Sequence, residues 1–236
     1  MINCLKRKNA LAWLQLIKAL FTRMKKRFWK IEYSIVIVVI FAIVLIILPS
    51  SIFTVSKQAS FISKWNETYD KADYMFTAMA AQADSEIVKG LKNSSSKEEH
   101  EKLMIQLIKP YLRLEEHERL LKHYHQYYMN GQKVKSTDEF YFENIYLSDN
   151  SNIVGIKDLL NKTYEEPALV MMFDINGLRG PNTWGKDVYG VYVYIDGTVR
   201  SIGYGWEIEK QKQDCSESGT GISCSHYYRI GGEFNG

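Results

Sequence analysis

Phe28-Trp-Lys-Ile-Glu32-Tyr33-Ser-Ile35-Val-Ile-Val-Val-Ile-Phe-Ala-Ile-Val-Leu-Ile-Ile-Leu48-Pro49-Ser-Ser-Ile-Phe-Thr-Val-Ser56 decides the reading of this chain. From Tyr33 to Ser56 no side chain is charged, and Ile35 to Leu48 is an unbroken apolar run. Twenty-four residues of helix reach about 36 Å, against about 30 Å of hydrocarbon in a bilayer, so the segment is long enough to span. A cleaved secretory signal would need a small-x-small site after the run. Pro49 falls awkwardly for that, and retention as an anchor is preferred.

Charge on either side of the run gives it a direction. Residues 1 to 31 hold nine Lys or Arg and no acid, which leaves 21 basic and 27 acidic residues after Ile31, a formal net of −6. Basic residues packed at one end of a span mark the cytoplasmic side. The long C-terminal part is therefore expected outside the cytoplasm, and its negative balance argues against nucleic-acid binding. Over the whole chain, 46% hydrophobic and 24% charged residues exclude disorder, and three cysteines exclude a disulfide-stapled mini-protein.

Glu32 stands at the mouth of the apolar run, where an ionised carboxylate entering hydrocarbon costs about 2.5 kcal/mol or more unless it finds a partner. It either stays in the interface beside Lys30 or receives a cation from another subunit. The stretch from Met24 through Val39 resembles the start of a type IV pilin or a type II secretion pseudopilin. With Phe28 counted as the first mature residue, Glu32 is fifth and Pro49 is twenty-second, the positions these residues hold in that superfamily.

The resemblance implies cleavage between Arg27 and Phe28 by a prepilin peptidase, with N-terminal methylation of Phe28. Glu32 would pair with the amine of a neighbouring subunit, and Pro49 would kink the helix for filament packing. Arg27 departs from the family's Gly before the cut, and Trp29 and Lys30 are also unusual there. Without cleavage the same chain is a membrane-anchored protein that does not polymerise. Residues 1 to 23 read as an interfacial amphipathic helix or as sequence preceding a start at Met24.

Beyond the span, Phe61, Trp65, Tyr69, Ala72, Phe76, Met79, Ala83, Ile87 and Leu91 recur at steps of three or four, a helical core stripe. Ser96-Lys-Glu-Glu99 opens a second helical region with a capping box, expected to run to about Met129 with an interruption near Pro110. His100, His117, His123 and His125 read there as solvated face residues. The last third changes period: 140–147, 168–173, 188–195 and 198–202 read as strands, with Asp196-Gly197 as a hairpin turn. The expected architecture is α+β and pilin-like. A long N-terminal helix, membrane-spanning in its first half, packs on a C-terminal antiparallel sheet, with extra helices between. The expected divisions are 1–27, 28–56, 57–130 and 131–236.

Asp174-Ile-Asn176-Gly177-Leu-Arg-Gly-Pro-Asn182-Thr-Trp-Gly185-Lys-Asp187 lies between two of these strands. It resembles a loop of bacterial pilin-like proteins. Asp174, Asn176 and Asp187 are oxygen donors that suit calcium, and some pseudopilins hold calcium in a C-terminal loop. The other reading, which the spacing favours, is that Asp and Asn cap turns while Gly supplies positive φ. Cys215 and Cys224 are expected to be disulfide-bonded in an extracytoplasmic domain.

No nucleophile elbow, phosphate loop or zinc-protease motif is present, so no enzyme is expected. The resemblance implies other pilin-like subunits as partners, in the bacterial inner membrane with a periplasmic or extracellular domain. The competing reading is an anchored adhesin or receptor that binds through tyrosines and tryptophans such as Trp184 and Trp206.

Overall fold

The computed structural model describes residues 33–43, 57–82, 96–115, 122–148, 152–159 and 163–233. The chain divides into two compact units, Met1–Ser56 and Lys57–Gly236. In the first, residues 33–43 form helix α1. Its large apolar side chains, from Tyr33 to Ile43, stand 49% to 63% exposed. Ile, Val and Phe occupy every side of this helix, so it has no polar face to turn to water.

In the second unit, residues 57–82 form helix α2. Phe61, Trp65, Ala72, Phe76 and Met79 are buried along one stripe, with Met75 beside them. Charge sits on the other side, where Glu67 and Lys71 pair at 2.8 Å one turn apart. Trp65 fixes the helix on the sheet. Its ring stacks on Tyr189 with centroids 4.9 Å apart and planes 14° apart, and its Nε1–H donates to the Ser225 carbonyl at 2.8 Å. Ala83, Ile87 and Leu91, expected on the same stripe, lie outside the described residues.

The expected long N-terminal helix, half in a membrane and half on the sheet, is corrected by this arrangement. Among the described residues no helix is long and apolar enough to cross a membrane. The described part of helix α1 is residues 33–43. The longest described helix is α2, whose 26 residues carry a charged outer face. The helix that packs on the sheet therefore belongs to the second unit and is amphipathic, with one face for the core and one for water.

Helix α3, Lys97–Leu112, begins as expected: Ser96 is the N-cap and accepts the Glu99 N–H at 3.2 Å. It ends far short of Met129. Pro110 occupies its last turn, Arg113 follows in the left-handed region at φ 47°, and residues 122–130 are not helical. Instead, Tyr127 forms bridges with Lys133 and with Thr183. Pro110 removes a backbone donor and Arg113 turns the chain away, so leucine periodicity beyond that point no longer reports a helix.

Five antiparallel strands form one sheet in sequence order: β1 Ile145–Leu147, β2 Ile153–Asp158, β3 Leu169–Asp174, β4 Val188–Val193 and β5 Val199–Ser201. All of β3 is buried. Met171, Phe173, Tyr189 and Val191 join the α2 core, while Val170, Met172, Val188 and Trp184 join a second core on the opposite face. A strand covered on both faces has no need for polar alternation, and Leu169-Val-Met-Met-Phe173 shows none. The Asp196-Gly197 turn forms as expected, with Gly197 at φ 83° and Tyr194 N–H bonded to the Thr198 carbonyl at 2.8 Å.

Helices α4, Ile208–Asp214, and α5, Cys224–Tyr227, flank the terminal loop, and Cys215 and Cys224 are disulfide-bonded with Cα atoms 5.4 Å apart. Both cysteines are fully buried. Asp214 organises the loop inside the bridge, since its carboxylate accepts the Thr220 N–H at 2.9 Å and the Ser223 N–H at 2.8 Å.

Candidate functional site

The connection from β3 to β4 holds a buried polar cluster built on two aspartates. Asp174 ends β3 and Asp187 immediately precedes β4, and the antiparallel pairing of these strands closes the loop between them. Both aspartates are fully buried. Asp174 Oδ1 accepts the Asn176 N–H at 3.1 Å, an Asx turn that lets Gly177 follow at φ 67°. Its other oxygen accepts the Tyr124 hydroxyl at 2.9 Å.

Asp187 is held by three donors. The Thr183 N–H reaches it at 2.6 Å, the Asn182 N–H at 3.0 Å and the Asn176 side-chain amide at 2.9 Å. Asn182 itself adopts φ 52°, a conformation that Asn tolerates better than most residues. Behind the loop Trp184 is fully buried, edge-on to Phe140 with centroids 5.6 Å apart. Its backbone N–H donates to the Tyr127 carbonyl at 2.9 Å, which ties the loop to the extended segment after α3.

Burial sets the electrostatics. Asp187 is pushed up to about 6, chiefly by loss of water, although the donors from Thr183, Asn182 and Asn176 hold it down. Asp174 is pushed well above the usual carboxylate range by burial and by the Asp187 charge, against the opposing bond from Tyr124. The Tyr124 hydroxyl is in turn pushed up by burial and by Asp174, so it remains a donor at neutral pH. The cluster can take up protons as the medium acidifies, and each proton relieves the repulsion between two buried carboxylates.

The three calcium candidates, Asp174, Asn176 and Asp187, are thus brought together, through the Asn176 hinge. Their donor set fits turn chemistry better than a calcium cage. Each carboxylate oxygen already accepts an N–H or O–H bond, whereas calcium takes six to eight oxygen ligands. Among the described residues no group of three or more His, Cys, Asp or Glu side chains comes together to hold a metal ion. The oxygens left over are the buried Oδ1 atoms of Asn176 and Asn182, which have no hydrogen-bond partner.

Other expected sites divide between buried, exposed and undescribed. Arg27, Phe28, Glu32 and Pro49 lie outside the described residues, as does His117. His123 and His125 are exposed, in non-helical chain. Trp184 is in the core and forms no surface, while Trp206 is 39% exposed beneath the Lys210 ammonium, 4.1 Å from its ring. Ser201 Oγ and His226 Nδ1 approach to 2.9 Å, but Ser201 is buried among strand neighbours, so the pair has no open nucleophile.

Tyr124, Asn182 and Thr183 are the site residues that sequence reading did not single out. Asn182 carries a signal in retrospect, since an Asn after Pro181 suits a left-handed turn position. Tyr124 carries none, because its contact with Asp174 crosses fifty residues of chain. Comparison with protein-family models, with curated proteins and with solved structures returned no significant match to this chain.

Proposed function

We propose that this chain is a pilin-like subunit or scaffold of a type IV pilus or type II secretion-type filament, anchored in a bacterial inner membrane with residues 57–236 outside the cytoplasm. One observation carries the reading: helix α1 exposes apolar side chains on every side, next to a basic N-terminal stretch. A helix of that composition needs an apolar environment. The uncharged stretch Tyr33–Ser56, of which α1 is the described part, is long enough to provide the anchor. Support also comes from the shared register of Phe28, Glu32 and Pro49 with the pilin pattern, and from the loop Asp174–Asp187.

In this role the chain performs no chemistry. It inserts in the membrane, presents its second unit, and gains neighbours through Glu32 once Phe28 becomes the N-terminus. Its partners are other pilin-like subunits and the prepilin peptidase; nucleic acid is not among them. Arg27 favours a second reading, a non-polymerising anchored binding protein, because a bulky cation stands where the peptidase family expects Gly.

Mass spectrometry of the mature N-terminus separates the two. A methylated Phe28 N-terminus, with Glu32→Ala lost from sheared filaments yet retained in the membrane, is the outcome the filament reading requires. An unprocessed, solitary chain would leave the anchored binding protein.

A further inference from the structure

The segment between β5 and α4 has no part in the reading above. Every residue from Tyr204 to Lys210 is exposed, and Tyr204, Trp206 and Ile208 bring large apolar side chains to that surface. The rings are held out on a fixed turn. Gly203 lies at φ 98° and packs so closely on Ser223 that an added Cβ would come within 2.8 Å of it. The Tyr204 N–H donates to the Ser201 carbonyl and the Trp206 N–H to the Gly203 carbonyl, each at 3.0 Å. The side-chain amide of the buried Gln211 donates to the Trp206 carbonyl at 2.8 Å, which ties the turn to α4.

Cations are interleaved with these rings. The Arg200 guanidinium lies 4.8 Å from the ring centres of both Tyr194 and Tyr204, and the Lys210 ammonium lies 4.1 Å from that of Trp206. Tyr204 also meets the His226 ring edge-on, with centroids 5.4 Å apart. Among the described residues neither Arg200 nor Lys210 has an ion-pair partner. Contact with two aromatic rings limits the freedom of the guanidinium and engages no oxygen acceptor, so its N–H fork stays open to a planar anion such as a carboxylate.

A uronic acid combines the two features this surface asks for. Its pyranose ring presents C–H groups to an aromatic face, and its carboxylate suits an arginine fork. Glu207 and Glu209 stand on the same exposed segment, where they repel a densely charged polyanion and offer acceptors to sugar hydroxyls. We infer that the surface formed by Tyr194, Arg200, Tyr204, Trp206 and Lys210 binds a uronate-bearing polysaccharide, with Tyr204 and Trp206 stacking on pyranose rings and Arg200 pairing with a carboxylate. This site goes beyond the filament reading and does not depend on processing at Phe28.

The test is calorimetry on the full-length protein in detergent, titrated with hexagalacturonate, maltohexaose, hexaglutamate and a thymidine hexanucleotide. Hexagalacturonate should bind at least about tenfold more tightly than each of the other three. Arg200→Gln and Trp206→Ala should each weaken it at least about tenfold at an unchanged melting temperature, since both side chains are exposed. A second readout needs no substitution and decides the matter if a variant melts lower: saturating hexagalacturonate should protect Arg200 from phenylglyoxal, mapped by mass spectrometry. No binding of hexagalacturonate, unchanged affinity in either variant, or full modification of Arg200 at saturation would overturn the inference. Equal binding of maltohexaose would leave the carboxylate without a role, and equal binding of hexaglutamate or the hexanucleotide would reduce the surface to a general anion site; either result would overturn it as well.

Discussion

Asn176 donates its side-chain amide to the Asp187 carboxylate at 2.9 Å, while its backbone N–H donates to Asp174 at 3.1 Å. One residue thus links two buried acids that stand at opposite ends of a loop. Those acids resist ionisation, Asp187 pushed up to about 6 and Asp174 well above the usual carboxylate range. A carboxyl whose folded value is raised stabilises the fold fully below its unfolded value and loses that contribution as pH rises through the folded value. The second unit should therefore be more stable near pH 5 than near pH 8. Asp174→Asn should flatten that slope. Urea midpoints at pH 5, 6, 7 and 8 check both; a midpoint that rises with pH in the unsubstituted protein contradicts the assignment.

Calcium should have little effect on the same loop. The carboxylate oxygens are engaged by Tyr124, Asn176, Asn182 and Thr183, and a cation would have to displace those donors. Calorimetry with millimolar calcium should give no binding heat, and the melting temperature should stay where it is. A rise of several degrees would mean that the donors yield and that the Asn176 and Asn182 oxygens join the acids as ligands.

Much of this loop was legible because its residues act locally. Asp, Asn and Gly announce turns through their own backbones, and the Asp196-Gly197 hairpin and the Ser96 cap were readable for the same reason. The α2 stripe was readable because one helix face repeats. Strand β2 escaped notice: Ile153-Val-Gly155-Ile-Lys157-Asp158 is short, carries Gly and two charges, and owes its place to pairing with β1 and β3 on both sides. The extended path of 122–130 was hidden for a related reason, since Tyr124 and Tyr127 take their partners from the distant 174–184 segment. The long N-terminal helix was over-read from one apolar run, because apolar continuity states what a segment avoids and not how far its helix runs.

Gly155 illustrates such distant pairing. A Cβ added there would lie 2.8 Å from the Phe142 ring, which sits directly over the strand. Phe142 is buried and packed against Trp184, so it has little room to retreat. Gly155→Ala should destabilise by about 1–3 kcal/mol, the usual range for overpacking. The pair Gly155→Ala with Phe142→Leu should recover part of that loss, and a denaturation series on the three variants measures the coupling.

The disulfide should matter less than the packing it closes. Replacing Cys215 and Cys224 with serine releases a ten-residue loop and should cost about 2–3 kcal/mol through the unfolded chain. Asp214 continues to hold Thr220 and Ser223 without the bridge, so the loop should keep its shape. Chemical denaturation under reducing and oxidising conditions should show that difference in the unsubstituted protein and none in the double variant.

Trp65 joins helix, sheet and C-terminal segment in one side chain, and its two contacts can be separated. Trp65→Phe keeps an aromatic ring against Tyr189 but removes the donor to Ser225, whose hydroxyl also receives the Gly190 N–H at 2.9 Å. That substitution should cost about 1–3 kcal/mol, for an unpaired carbonyl and a smaller ring. Trp65→Ala also opens a cavity between α2 and β4 and should cost about 3–5 kcal/mol. Melting curves distinguish the two. If both variants fell by the same amount, the hydrogen bond and not the stacked ring would be what fastens α2 to the sheet.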